Sequence, residues 1–222
     1  MYVFALRALM CLRYNRAMIR LVVFLGNTGR EYESTRHNTG WLFAHFLFGD
    51  GISWSKKHNS HFATLGRVEA LSLLSCEGRV PADVAGKLLL QKPLTYMNLS
   101  GQAVSHAAHF HKIPPQDILV VHDEIELPLG TLSLKYAGGL AGHNGLRSIK
   151  ASLGTADFWR LRFGVGKPAS GDVAGYVLSP FSADEQITLQ YVFQSAKELF
   201  CALILSPSPD TLLKSWAKVK VQ

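Results

Sequence analysis

The chain has no run of about 18 or more uncharged apolar residues, so it offers no candidate membrane-spanning helix. Cysteine is scarce. Cys11, Cys76 and Cys201 lie far apart, with no C-x-x-C pair and no metal-ligand spacing around them, and are expected to be reduced thiols in a reducing compartment. Several enzyme signatures are missing too: no Gly-Lys-Ser/Thr closes a Walker loop, no G-x-S-x-G elbow presents a serine nucleophile, and no H-E-x-x-H pair holds zinc. The residues therefore give no reason to expect a metal or a cofactor. Internal repeats, low-complexity tracts and long linkers are absent as well.

Acidic residues are in the minority, with 16 Asp and Glu against 23 Lys and Arg and a formal net charge of +7. The imbalance favours an anionic partner, nucleic acid or an acidic membrane surface, without choosing between them. Residues 1–20 hold Arg7, Arg13, Arg16 and Arg20 and no acid. That composition suits an organelle-targeting presequence, but a start at Met18 or a disordered extension fits better, because M-I-R-L-V-V-F-L-G begins a strand at once. The folded domain is accordingly placed at residues 19–222, after an extension of residues 1–18. With 48% hydrophobic residues among 222, the chain can bury one substantial core.

Apolar runs and turn residues predict the elements. Residues 22–25 read as a buried strand closed by Gly26 and Gly29, and residues 40–48 as a buried helix. A hairpin around Gly66 is expected over residues 61–74, followed by a strand at 87–92. Asn98 or Ser100 could cap a helix running to His111, and I-L-V-V-H-D-E at 118–124 is the clearest strand. Further strands at 131–136 and 158–165 flank a helix opening near Asn144. Two helices close the chain, the first over 182–205. The alternation predicts an α/β fold, a single-domain three-layer sandwich with a mixed sheet and helices on both faces.

The stretch F-L-G-N-T-G-R-E-Y-E-S-T-R-H-N-T-G-W, residues 24–41, leaves the first strand at the end where open α/β sheets place ligands. Its glycines do not fit a dinucleotide fingerprint. It carries His37, whose imidazole titrates ordinarily near pH 6.5 and can take a proton from water, though a lone histidine is more often structural. Asp123 ends the apolar strand at 118–124. A carboxylate there is costly unless paired, and His37 is a suitable partner; base and orienter is one reading, a turn cap the other. Asn98 can cap a helix or hold a peptide bond through its amide. Around His143 and Asn144, Gly138, Gly139, Gly142 and Gly145 either expose backbone N–H groups before a helix or form a mobile connector. Lys135, Arg147, Lys150, Arg160 and Arg162, interleaved with Tyr136, Phe158 and Trp159, suit RNA phosphate contacts or a solvated surface equally. A metal hydrolase using His122, Asp123 and His143 lacks the ligand spacing.

Four segments in order, G-N-x-G-x-x-Y-x-x-T-R-H-N, K-P-x-T-Y-M-N-x-S-G, H-D-E and G-H-N-G-L, make the chain similar to bacterial-type peptidyl-tRNA hydrolases from about Ile19 to Glu198. The resemblance implies hydrolysis of the ester between a peptide and the 3′ ribose of tRNA, by a cytoplasmic monomer without metal, cofactor or obligate protein partner. His37 would be the general base, Asp123 its orienter, and Asn27 the residue that tells an N-acylated substrate from a free one. Tyr32 would contact the tRNA end, Tyr96, Asn98 and Asn144 would line the groove, and Lys135 with Arg162 would grip the 5′ phosphate. A non-catalytic RNA-binding relative is the alternative, expected to lose the base or its orienter. The chain departs from the family at Phe24 and Thr28, where a glycine and a proline are usual, and at Leu140-Ala141, where the family is richer in glycine.

Overall fold

The computed structural model describes residues 18–76, 86–168 and 171–221. Of the extension expected at residues 1–18, residues 1–17, Cys11 included, lie outside the described residues.

Strand β1 (Leu21–Phe24) is buried along its whole length and alternates sides, as the period of two requires. Leu21, Val23 and the following Leu25 enter one apolar core, Val22 and Phe24 the other. Strands β4 (Lys87–Pro93) and β5 (Ile118–Glu124) flank β1 in parallel, and β7 (Trp159–Gly164) pairs in parallel with β5. Antiparallel strands extend both edges: β2 (Ser55–Lys57) and β3 (Ser60–Gly66) on one, β6 (Thr131–Tyr136) and β8 (Val219–Lys220) on the other. The sheet order is β2-β3-β4-β1-β5-β7-β6-β8. Helices α1 (Thr39–Phe48), α2 (Arg67–Leu73) and α6 (Ala183–Leu205) cover the face of Val22 and Phe24. On the other face, α3 (Ser100–Phe110) and α4 (Asn144–Leu153) pack over Leu21 and Val23. Short helices α5 (Val173–Val177) and α7 (Asp210–Trp216) complete the set. This is the expected three-layer sandwich on a mixed sheet. Its crossovers leave β1 on either side, so the carboxyl ends of β1 and β5 form the crevice where such sheets bind ligands.

Three local expectations are corrected. Residues 61–74 are not a hairpin around Gly66: the Glu69 carboxylate accepts the Gly66 N–H at 3.0 Å and starts α2, while β3 turns back on β2 through His58 and Asn59. Neither Asn98 nor Ser100 caps α3. Met97–Leu99 form a 3-10 turn, and the Ser100 hydroxyl donates back to the Met97 carbonyl at 2.9 Å. Cys76 and Cys201 are disulfide-bonded rather than reduced thiols. They are 125 residues apart, but Cys76 just beyond α2 and Cys201 on α6 have Cα atoms 5.9 Å apart, within the range a disulfide spans.

Helix α1 lies directly on the strands. A Cβ at Gly40 would come within 2.5 Å of the Leu25 carbonyl oxygen and 2.7 Å of that of Val121. Backbone cannot yield as a flexible side chain can, so Gly40→Ala is expected to destabilise the fold by about 1–3 kcal/mol. The check is the urea midpoint, which should fall with an unchanged m-value. Gly171→Ala, with nothing within 4 Å of its Cβ, should leave the midpoint in place.

Candidate active site

The loop after β1 is held to the strand by a side chain that imitates a backbone. Asn38 accepts the Asn27 N–H at 2.8 Å through Oδ1 and donates Nδ2–H to the Asn27 carbonyl at 3.0 Å. This pins the 3-10 turn Arg36–Asn38, and with it His37, over the carboxyl end of β5. There His37 Nδ1 lies 3.0 and 3.1 Å from the two carboxylate oxygens of Asp123. A second imidazole reaches the same carboxylate, His143 Nε2 at 3.1 Å from Oδ1. His143 sits at the N-cap of α4, where its Nδ1 accepts the N–H groups of Gly145 at 3.1 Å and Leu146 at 3.4 Å. An accepting Nδ1 fixes the tautomer, so Nε2 carries the proton donated to Asp123. The His37 and His143 rings lie 4.8 Å apart.

Asp123 is almost wholly buried. Burial pushes its pKa up, but the charges and hydrogen bonds of His37 and His143 outweigh burial and hold the carboxyl well below the usual carboxylate range. For His37, burial works to lower the pKa, while the charge and hydrogen bond of Asp123 win and raise it above the ordinary 6.5. With Nδ1–H committed to Asp123, Nε2 of the neutral ring is left as a base. His122, the strand residue before Asp123, donates from Nδ1 to the Asp123 carbonyl at 2.6 Å, and burial keeps it neutral.

A cavity of about 370 Å³ opens at this point. His37, Asp123, Glu124 and His143 contribute to its polar lining, Val173, Ala174 and Val177 of α5 an apolar wall, and Asn144 also borders it. Ligand atoms of His37, Asp123 and His143 lie within 4.8 Å of one another, compact enough for a metal ion. The hydrogen bonds argue against that use, because His143 Nε2 carries a proton and Asp123 already accepts from both rings.

A sequence model of the family described as peptidyl-tRNA hydrolase matches residues 21–221. The chain belongs to the peptidyl-tRNA hydrolase family. It is 44% identical over 208 residues to the peptidyl-tRNA hydrolase of Treponema pallidum, covering 91% of this chain and 96% of that one. It is 47% identical over 178 residues to that of Oleidesulfovibrio alaskensis, covering 80% and 86%. A crystal structure of the Arg119Gln mutant of the Acinetobacter baumannii peptidyl-tRNA hydrolase superposes with a TM-score of 0.76 at 32% identity, covering 90% of this chain and 95% of that one.

The remaining residues expected of a peptidyl-tRNA hydrolase fall into two groups. Asn27 is buried beside the loop that carries His37, and its Oδ1 accepts the Met97 N–H at 2.7 Å; its Nδ2–H has no hydrogen bond among the described residues. Tyr96 and Asn98 are exposed on either side of Met97, and a Cβ on Gly145 would come within 2.5 Å of the Met97 sulfur. Asn27, Tyr96, Asn98 and Asn144 therefore belong to one neighbourhood. Tyr32 is half-buried earlier in the same loop. Lys135 and Arg162 lie on the neighbouring strands β6 and β7, outside the cavity lining. The basic and aromatic cluster is corrected in part: Phe158, Trp159 and Arg160 are buried, and Arg160 is spent on the carbonyls of Ala137 and Gly139. Arg36, Asn38 and the cap role of His143 were not singled out from sequence. The first two flank His37 directly, and His143 precedes a strongly amphipathic helix start, but histidine is not a favoured cap.

Because the folded state favours the protonated His37, its contribution to stability is present below 6.5 and is lost as pH rises through the higher folded value. A base function runs the other way. The acidic limb of kcat/KM should have its midpoint above 6.5. In Asp123→Asn the raising charge is gone while burial stays, so the limb should move to lower pH and kcat should fall by about 10²-fold. A limb that stays in place would show that Asp123 does not set the pKa of the base.

Proposed function

We propose that the protein hydrolyses the ester joining the C-terminal carbonyl of a peptide to the 3′ ribose of tRNA. The observation that carries this reading is the His37 to Asp123 pair, at 3.0 Å and buried, with the imidazole bordering an open cavity. Nε2 of His37 takes a proton from water as its oxygen attacks the ester carbonyl. The imidazolium that forms is stabilised by the buried carboxylate, whose position His143 also holds. Collapse of the tetrahedral intermediate expels the 3′ oxygen, which recovers the proton from His37. Free amide N–H groups of Asn27 and Asn144 are suited to the developing oxyanion or to the N-acyl end of the substrate. Lys135 supplies a charge for tRNA phosphate, and Arg162 a second one, partly engaged by Glu124 at 3.5 Å.

The steps above call for neither a metal nor a protein partner, and the protein is proposed to act as a monomer. No helix among the described residues is long and apolar enough to cross a membrane. A non-catalytic RNA-binding relative would have little use for a paired, oriented imidazole in a cavity, so retention of both His37 and Asp123 favours catalysis.

With an N-acetylated aminoacyl-tRNA and EDTA present, the wild type is expected to release tRNA. His37→Ala should slow release by at least about 10²-fold with unchanged affinity for deacylated tRNA. Wild-type turnover by that variant would sink the mechanism. Separately, Lys135→Ala should flatten the dependence of log tRNA affinity on log salt by about one, weakening binding without regard to tRNA sequence. An unaltered slope would remove Lys135 from the phosphate contact.

A further inference from the structure

Thr35, Arg36, His37 and Asn38 are consecutive and all buried, yet they serve different partners. Asn38 ties the loop to β1 and His37 meets Asp123, whereas the Arg36 guanidinium reaches residues 176–185. Its Nη1 donates to the Ser179 hydroxyl at 2.7 Å, to the Ser179 carbonyl at 3.2 Å and to the Pro180 carbonyl at 2.5 Å. Its Nη2 donates to both carboxylate oxygens of Glu185, at 2.8 and 2.6 Å. The guanidinium carbon lies 4.5 Å from the centroid of the Tyr176 ring and 5.1 Å from that of Phe181. The backbone follows the same course: Arg36 N–H donates to the Ser179 carbonyl at 3.1 Å, and Thr35 bridges Pro180.

We propose that Arg36 is a positioning residue for His37, locking the base loop to α5 and to the first turn of α6 so that the base and the apolar wall of its cavity keep one separation. The inference rests on His37 being the base. It has three supports. Helix α5 is five residues long and buries only Val177, so its own packing holds it weakly; an Asp172 cap at 2.8 Å, the Tyr176 hydroxyl on the Val165 carbonyl and the Arg36 contact are what fix it. Yet this helix supplies Val173, Ala174 and Val177 to the cavity that His37 borders. Next, an ion pair between the buried Arg36 and the partly exposed Glu185 carries a desolvation cost that offsets much of its attraction, and the best-attested use of such a pair is to fix one arrangement among several. Finally, the site demands a planar fork: one terminal nitrogen serves the Glu185 carboxylate while the other serves the Ser179 and Pro180 oxygens, and aromatic faces lie alongside, which together suit a guanidinium and not an ammonium. Arg36 and His37 are joined by one peptide bond, so a backbone shift at the anchored arginine is passed to the base.

The test uses the full chain and an N-acetylated aminoacyl-tRNA, at a temperature where circular dichroism shows each variant folded. Arg36→Lys and Glu185→Gln should each lower kcat about 10- to 100-fold with little change in KM, the signature of a misplaced catalytic group. Tyr176→Phe keeps the ring under the guanidinium and loses only the hydroxyl bond to the Val165 carbonyl, so it should lower kcat less than Tyr176→Leu, which loses both and should drop several-fold. In NMR titrations the His37 imidazole should move from its raised pKa toward 6.5 in Arg36→Lys, a change that loss of stability alone does not produce. Should Arg36→Lys fail to fold, Glu185→Gln and the Tyr176 pair decide. A folded Glu185→Gln or Arg36→Lys with wild-type kcat and an unmoved His37 titration overturns the proposal. His37→Ala is run alongside: if it turns over normally, the base assignment itself fails; if it is inactive while the Arg36 and Glu185 variants are normal, only the positioning role fails.

Discussion

An ionised carboxylate in a nearly closed apolar setting constrains everything around it. Asp123 is next to last in a strand whose seven residues are all buried, and among the described residues its side chain accepts from imidazoles only. Without those donors the charge would cost several kcal/mol or the group would protonate. Each donor is therefore fixed by the need, and each brings a segment with it. His143 can donate from Nε2 only because its Nδ1 is occupied by the first N–H groups of α4, so the carboxylate sets both a tautomer and the start of a helix. His37 arrives on a loop that β1 and α6 hold from opposite ends, through Asn38 and Arg36. The same arrangement that satisfies the charge leaves one imidazole nitrogen unspent at a cavity. Stability and chemistry are solved by one set of contacts.

The basic surplus is divided in a way that net charge cannot convey. Arg67 and Arg160 are completely buried and donate from their terminal nitrogens to backbone carbonyls, and burial lowers both to a pKa of about 10. Arg162 is shared with Glu124 and the Ser133 hydroxyl. Lys135 stands half-exposed beside Arg160 and Arg162, and besides its burial their like charges lower its pKa. A phosphate arriving there would relieve that repulsion, which is a physical reason for such a cluster to favour an anion. Arg147 and Lys150, exposed on α4, line a shallow groove with Leu140 and Gly142, close to the His143 cap.

Much of this was legible in the chain. The strands at Leu21 through Phe24 and at Ile118 through Val121 declared themselves by unbroken apolar runs, which suit two-sided burial, and the layer order followed from their alternation with helices. His37 and Asp123 could be named as a pair because a carboxylate at such a strand end needs a partner. Other features depend on distances that only folding creates. Nothing in the spacing of Cys76 and Cys201 brings α2 beside α6, and nothing in R-L-R distinguishes Arg160, facing carbonyls, from Arg162, facing Glu124. The hairpin misplaced at Gly66 shows the limit of local signals. A glycine there suits a turn, but Glu69 three residues on closes a helix start instead.

The departures from the family pattern differ in kind. Phe24 faces the α1 and α6 layer, with its ring 6.4 Å from that of Phe200, while Leu25 beside it turns to the opposite core; the larger side chain is a packing matter on the face away from α4. Ala141 is different. It borders the cavity with φ of 47°, a left-handed conformation that glycine adopts freely and alanine only with strain of order 1 kcal/mol. Its neighbour Gly142 has φ of 76°, so the backbone turns twice through this region immediately before the His143 cap. The methyl group narrows the conformations open to the unfolded link and thereby offsets part of the strain. A stiffer approach to His143 then serves the carboxylate on which the site depends, because a donor that must sit 3.1 Å from Asp123 gains from a link with fewer alternatives.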